Sequence, residues 1–183
     1  MLTIIAVAVL APGQTMVQIE TSLGNIQVAI DGQHAPATAR NFLRYVDGGF
    51  YAGGRFHRTV TIDNQPDKKI KIEAIQAGAN PAMEKKKFRP ILLERTSRTG
   101  LHHLDGTISM ARSTPGSATS DFFICIGNQP ELDFGGKRNP DGQGFAAFGR
   151  ITVGMDVVRK IQKSHAKGQT LDPPIKVIRI RRM

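Results

Sequence analysis

Apolar and polar residues alternate over several short stretches of the sequence, as expected for β-strands with one buried face. The first two stretches, residues 17–21 and 26–30, lie on either side of Leu23-Gly24-Asn25, which predicts a β-hairpin. Further strand-like runs follow, separated by segments rich in glycine, proline or asparagine. These runs cover residues 56–60, 70–76, 107–110, 122–126, 145–151 and 175–182. The pattern therefore predicts a mainly β protein.

Two segments have the periodicity of a helix instead. In the first, residues 39, 42, 43 and 46 form one apolar stripe; Pro36 suits the first turn, and Gly48-Gly49 ends the helix. The second segment, residues 154–163, places Met155, Val158 and Ile161 in helical spacing. Many short strands with two helices predict a closed antiparallel β-barrel capped by the helices. Periodicity alone is equally compatible with a β-sandwich.

The chain is long enough for one domain with a full hydrophobic core, at 183 residues, and it has neither an internal repeat nor a linker. We therefore predict one domain over residues 15–183. Residues 2–11 carry no charge and are too few to span a bilayer. They resemble the apolar part of a secretory signal peptide, although the usual basic segment before it is missing. Residues 1–14 are thus predicted to be a signal peptide of a periplasmic or secreted protein, or else an irregular tail of a cytoplasmic one.

The chain is basic, with a formal net charge of +10 and a pI of about 10.2. Its positive residues form short clusters, at 68–69, 85–87 and 179–182, and are not gathered in one tract. No aromatic residues alternate with them in the manner of a nucleic-acid stacking platform. We therefore interpret them as solvated surface charge, and nucleic acid is not an expected partner. An RNA-associated accessory role remains an alternative that rests on the charge alone.

Several kinds of chemistry find no support in the sequence. Cys125 is the only cysteine and lies in an apolar run, which predicts a buried core residue. Phosphate-binding glycine motifs and a GxSxG elbow are missing, no member of a serine triad can be identified, and the five histidines have no zinc spacing. If the protein is an enzyme, we expect it to use no metal, no cofactor and no covalent nucleophile.

An ordered set of short motifs resembles the cyclophilins, and their bacterial members in particular. The motifs are Asn41-Phe42-Leu43, Gly49-Phe50-Tyr51, Phe56-His57-Arg58, Ile75-Gln76-Ala77-Gly78, residues 106–112 (GTISMAR), residues 120–124 (SDFFI) and Phe148-Gly149-Arg150-Ile151. The resemblance runs from about Val17 to the C-terminus. It implies an eight-stranded antiparallel barrel with a helix over each end. It also implies a peptidyl-prolyl cis-trans isomerase that assists the folding of proline-containing unfolded or flexible polypeptides, without a cofactor and as a monomer.

The resemblance also assigns roles to individual residues. Arg58 matches the catalytic arginine, and Gln76 matches the glutamine that holds this arginine and touches the substrate. The substrate-binding matches are Ala111 and Arg112 at the edge that pairs with the peptide, Phe123 at the floor of the proline pocket, Leu132 at its wall and Phe145 at its rim. We interpret His57 as structural, because adjacent side chains of a strand point to opposite faces.

The sequence departs from the family pattern near the expected pocket. An insertion between Arg58 and Gln76 contains residues 61–69, which are predicted to form a protruding polar loop beside the active site. Glu73 and Ala74 fall where the family has Phe and Met, and Glu131 falls at an aromatic position. Either both glutamates turn outward or the pocket is more open, since a carboxylate buried beside proline is costly.

Two expectations follow from this altered pocket. We expect Phe134 to swing in as a replacement for the missing aromatic residue, and cyclosporin to bind poorly because the chain has no tryptophan. The altered pocket also motivates a second functional hypothesis, a non-catalytic or weakly catalytic peptide-binding or chaperone module on the same fold. The pair Arg58 and Gln76 favours the enzyme, because binding alone does not require both.

Overall fold

The computed structural model describes residues 13–183, which form nine strands and three α-helices. The strands are β1 (Gln14–Thr21), β2 (Gly24–Asp31), β3 (Arg55–Val60), β4 (Ala74–Gly78), β5 (Thr107–Met110), β6 (Phe122–Cys125), β7 (Ala146–Val153), β8 (Ala166–Lys167) and β9 (Thr170–Arg182). The helices are α1 (Pro36–Asp47), α2 (Thr96–Thr99) and α3 (Met155–Gln162), and short 3₁₀ turns cover Pro81–Lys86 and Pro130–Leu132.

The sheet closes on itself. Its strand order is β1-β2-β7-β5-β6-β4-β3-β9, and β1 also pairs with β9, so that eight strands complete a barrel; β8 adds a short hairpin to β9. All pairings are antiparallel. The predicted closed eight-stranded barrel is therefore confirmed, and the sandwich alternative is excluded.

The predicted hairpin joins β1 to β2 through a tight connection in which Thr21 pairs with Gly24. Gly24 has a φ of +136°, and a Cβ atom there would lie 2.8 Å from a methyl group of Val157 in α3. Glycine is thus required both by the backbone conformation and by the close approach of the helix.

Both predicted helices bury an apolar face on the barrel. In α1 this face includes Phe42, Tyr45 and Val46, and the helix packs on β2, β7 and β9. In α3 it includes Val158 and Ile161, and the helix packs on β2, β3 and β4. Burial of these side chains, and not intrinsic helix propensity, accounts for most of the stability of such short helices.

Strand alternation divides the apolar residues between two clusters. In β6, Phe122 and Ile124 belong to the main barrel core, whereas Phe123 and Cys125 belong to a second, smaller cluster. Cys125 is fully buried there, as predicted, and burial raises the pKa of its thiol. The second cluster forms the base of the cleft described below, so one strand supports both the fold and the site.

Most predicted strands have somewhat different bounds in the structure, and three of the differences are informative. The run 70–76 begins as a strand only at Ala74, because side chains bind the preceding backbone: Gln65 bonds to both backbone groups of Ile72, and Arg138 donates to the Ile70 carbonyl. The run 145–151 is shifted to Ala146–Val153. The run 175–182 extends back to Thr170, across two prolines that normally argue against a strand.

The predicted signal peptide falls almost wholly on residues 1–12, which lie outside the described residues. Gln14 already belongs to β1, while the division of the chain at residue 14 stays a prediction. Across residues 13–183, no helix has both the length and the apolar character needed to cross a membrane.

Candidate active site

A β-bulge in β3 sets the direction of Arg58. Phe56 pairs with Ala77, but Arg58 pairs with Gln76, so that β3 has one residue more than β4 at this point. The extra residue is His57. Regular alternation along residues 56–58, without a bulge, would place Arg58 on the same face as Phe56, which is buried in the barrel core. Because of the bulge, Arg58 and Gln76 share the outer face.

Three hydrogen bonds hold the guanidinium of Arg58. Its Nε and one terminal nitrogen donate to Oε1 of Gln169, at 2.9 and 2.6 Å, and the other terminal nitrogen donates to Oε1 of Gln76 at 3.2 Å. Both acceptors are neutral amides. Burial lowers the pKa of Arg58, yet an arginine remains charged at neutral pH.

Arg58 lies at one side of a cleft of about 590 Å³. The cleft has an apolar base, in which the rings of Phe123 and Phe145 meet edge to face with centroids 5.2 Å apart. Leu132 is buried in the same base. All seven residues that the resemblance assigned line this cleft, namely Arg58, Gln76, Ala111, Arg112, Phe123, Leu132 and Phe145. The structure thus brings them together, while their individual roles stay predictions.

The predicted peptide-pairing edge consists of Ala111 and Arg112. The amide of Ala111 already donates to the carbonyl of Asp121 at 2.9 Å. The side chain of Arg112 is already engaged, since each of its three nitrogens donates one hydrogen bond: two go to the carboxylate oxygens of Asp141 and one to the Gly144 carbonyl. Arg112 therefore fixes the loop that precedes β7 beside the rim of the cleft.

A buried polar chain supports the base of the cleft. Both ring nitrogens of His103 form hydrogen bonds, Nδ1 with the carboxylate of Asp133 and Nε2 with the hydroxyl of Ser109. The ring also stacks on that of Phe123, with centroids 5.9 Å apart. Hydrogen bonds link Asp133, His103 and Ser109 in the same way as the three members of a serine triad, and no motif in the sequence identifies these residues. Ser109 is fully buried, so these three hydrogen-bonded residues hold Phe123 in position and offer no accessible nucleophile.

The two departing glutamates turn away from the cleft. The Glu73 carboxylate accepts a hydrogen bond from Gln162 in α3, at 3.0 Å, and that of Glu131 accepts one from the amide of Lys137, at 2.7 Å. Of the three departing positions, only Ala74 lines the cleft. The outward alternative is therefore the correct one, and neither glutamate is buried beside the apolar base.

The prediction for Phe134 is wrong. Its ring is 45% exposed and lies 6.0 Å from the guanidinium carbon of Arg95, and it does not line the cleft. The amide of Phe134 donates to Oγ1 of Thr96. This bond and the cation–π contact together hold the residue on the outside, next to α2.

The insertion is not a free protrusion. Gln65 is 2% exposed, and its side chain bonds back to the carbonyls of Thr61 and Ile72. The side chain of Asn64 donates to the backbone carbonyls of Thr59 and Gly168, and the backbone carbonyl of Asn64 accepts a hydrogen bond from the side chain of Gln169. The loop is therefore tied both to β3 and to the turn that carries Gln169, and Lys68 reaches the cleft.

Sequence reasoning missed two residues of this site, Gln169 and Arg138. Gln169 comes close to Arg58 because Arg58 pairs with the next residue, Thr170. Arg138 lines the cleft and donates to the Ile70 carbonyl at 2.6 Å. A motif could not identify either, because both positions depend on pairing and loop conformation.

Comparisons with known proteins agree with this geometry. Residues 16–183 match the family described as cyclophilin type peptidyl-prolyl cis-trans isomerase/CLD. Peptidyl-prolyl cis-trans isomerase A of Dickeya dadantii is 38% identical over 163 residues, which are 88% of this chain and 78% of that protein. Peptidyl-prolyl cis-trans isomerase B of Escherichia coli is 36% identical over 148 residues, 80% of this chain and 84% of that protein.

The fold has counterparts among solved structures as well. A cyclophilin type peptidyl-prolyl cis-trans isomerase of Cryptosporidium parvum superposes with a TM-score of 0.73 at 22% identity, covering 93% of this chain and 98% of that one. With the barrel, the cleft and the family match taken together, the chain belongs to the cyclophilin-type peptidyl-prolyl cis-trans isomerases.

Proposed function

We propose that this chain accelerates rotation about X-Pro bonds in unfolded or flexible polypeptides, and that Arg58 stabilises the twisted bond. The observation that carries the proposal is the position of Arg58, whose guanidinium is fixed by two neutral amides beside the apolar base of the cleft. Isomerase activity is the activity of the family. A cyclophilin of Cryptosporidium parvum crystallised in the presence of the dipeptide Ala-Pro, with a TM-score of 0.70, supports proline-containing peptides as substrates.

The reaction explains why a fixed cation suffices. Rotation must break amide resonance, against a barrier of about 18–20 kcal/mol, and takes tens to hundreds of seconds without a catalyst. As the bond twists, the proline nitrogen becomes pyramidal and regains a lone pair. A donor aimed at this nitrogen gains strength only near the transition state, which is the condition for lowering the barrier. No covalent bond breaks, so no nucleophile takes part.

Five of the seven predicted residues have a role in this scheme: Arg58, Gln76, Phe123, Leu132 and Phe145. Phe123, Leu132 and Phe145 supply the apolar surface for the proline ring, and the stack of His103 on Phe123 keeps that surface in position. Gln76 and Gln169 fix the direction of the arginine. Since both are neutral, they restrain Arg58 without cancelling its charge.

The test is isomerisation of an Ala-Pro peptide, followed by NMR exchange, with the wild type, Arg58→Ala and Arg55→Ala. Arg55 is a matched control, because it lies in the same strand and is exposed outside the cleft. We expect Arg58→Ala to lose roughly a hundredfold or more in kcat/KM, as when a transition-state donor is removed. Equal activity of Arg58→Ala and the wild type would refute the assigned role.

A peptide-binding module is the second candidate, favoured by the short side chain of Ala74 in the cleft. It predicts that the wild type shifts the NMR signals of proline peptides without accelerating their exchange. We further propose that the protein acts as a monomer outside the cytoplasm. The apolar segment 2–11 supports export, and sedimentation together with N-terminal sequencing of the protein from its native host tests both points.

A further inference from the structure

The cleft carries an excess of positive charge. Among its lining residues, only Asp121 has a carboxylate, whereas the cations are Arg58, Lys68, Lys87, Arg112 and Arg138. Two of these cations are already neutralised. Arg112 forms a two-pronged ion pair with Asp141, and Lys87 lies 2.8 Å from a carboxylate oxygen of Glu84.

The other three cations, Arg58, Lys68 and Arg138, have no carboxylate partner within residues 13–183. Arg58 bonds only to neutral amides, and Arg138 donates to the carbonyl of Ile70. Burial and the charge of Arg58 both lower the pKa of Arg138. The two guanidinium groups therefore repel each other across the cleft, and an anion placed there would relieve this repulsion.

The side of the cleft that carries Arg138 and Lys68, here called the cationic wall, is also held in place. The bond from Arg138 to Ile70 joins the loop after Leu132 to the insertion, and the insertion is itself fixed through Asn64 and Gln65. A preformed wall does not have to become ordered when a ligand binds, which favours affinity. Ile72 and Leu132, which are part of the apolar base, line the same cleft as Arg138.

We infer that Arg138 and Lys68 form a subsite for an acidic side chain of the substrate, beside the catalytic Arg58, so that prolines flanked by Asp or Glu are preferred. This inference rests on the proposed isomerase function. A neutral or acidic cleft of the same shape would not prefer such peptides, because the preference depends on charge complementarity between the cleft and the substrate.

Four short peptides test the inference, each with one proline and with Glu or Gln directly before or directly after it. We expect kcat/KM for Glu to exceed that for Gln about fivefold at one of the two positions, in the range of a partly exposed ion pair. The ratio should fall towards one in about 1 M NaCl, where the Debye length is only about 3 Å. It should also fall in Arg138→Gln and Lys68→Gln.

Two further variants separate charge from structure. Arg138→Lys keeps the charge and should retain much of the preference for Glu over Gln peptides. An equal loss of this preference in Arg138→Lys and Arg138→Gln would mean that only the contact between Arg138 and Ile70 matters, and it would overturn the inference. Lys69→Gln removes a charge next to Lys68 from a residue that does not line the cleft, and it should leave the ratio unchanged. If all four peptides are accelerated equally, the subsite is refuted while the isomerase stands; if none is accelerated, the proposed function itself fails.

Discussion

Removal of Gln169 tests how far catalysis depends on holding Arg58 still. Gln169 accepts two of the three hydrogen bonds of the guanidinium, including the shortest, at 2.6 Å. A hydrogen bond to a charged group contributes about 1.5–3 kcal/mol, and a factor of ten in rate corresponds to about 1.4 kcal/mol. Since the site is open to solvent on one side, we take the lower end and expect Gln169→Ala to lose about tenfold in kcat.

The assay is NMR exchange on an Ala-Pro peptide at several peptide concentrations, so that kcat and KM are separated. KM should change little, because the apolar base of Phe123, Leu132 and Phe145 remains intact. Gln169→Glu keeps an acceptor but neutralises part of the charge of Arg58, and its kcat should lie between those of the wild type and Gln169→Ala. Gln33→Ala, at an exposed turn distant from the cleft, is the control. A loss of less than twofold in kcat for Gln169→Ala, or a loss confined to KM, would refute the positioning role.

Four further outcomes are expected. Phe123→Ala should raise KM and also destabilise the fold by about 3 kcal/mol, measured by urea unfolding, because it leaves a cavity under the cleft. Cyclosporin should inhibit only weakly in a titration of activity, since the chain has no tryptophan. The Cys125 thiol, whose pKa burial raises, should not react with a thiol reagent until the protein unfolds. Burial raises the pKa of Asp133, but the hydrogen bonds from His103 and His102 outweigh this effect, so that its pKa lies below the ordinary 3.8. The ionised carboxylate therefore stabilises the fold above about pH 4, and this stabilisation is lost as the pH falls further. Between about pH 5 and pH 3, Asp133→Asn should consequently lose less free energy of unfolding than the wild type does.

The sequence was sufficient for the mainly β fold and, through the family resemblance, for the barrel and for seven residues that line the cleft. Period-two alternation in β1 and in the first half of β2 reports which face is buried in the barrel, whereas β6 is apolar and buried along its whole length. The motif around Arg58 led to the right residue. Its orientation, however, depends on the bulge at His57, and the presence of an extra residue is visible only when β3 is set against β4.

The missed residue Gln169 and the misplaced Phe134 have a common physical cause. Gln169 lies 111 residues from Arg58 in sequence, and the two meet because β9 takes up several extra residues opposite β3, between the pairs Arg58–Thr170 and Phe56–Ile175. Phe134 was misplaced because the pocket lacks an aromatic residue that it could replace, whereas the bond from its amide to Thr96 and the contact with Arg95 hold it outside. Local patterns report burial and period, but they do not report which loop backbone a distant side chain will bind.

The pairing of β1 with β9 has a consequence for the order in which the protein can be made. The strand that starts at Gln14 has β9 as one of its two neighbours, and β9 ends at Arg182. Until β9 has left the ribosomal tunnel, β1 and β3 each lack this neighbour, and their open edges are exposed to pairing with other chains. Closure of the barrel therefore waits for β9 and joins strands that are far apart in sequence, which favours slow folding. A protein that speeds the folding of others is thus itself most exposed to aggregation until its last strand has left the ribosomal tunnel.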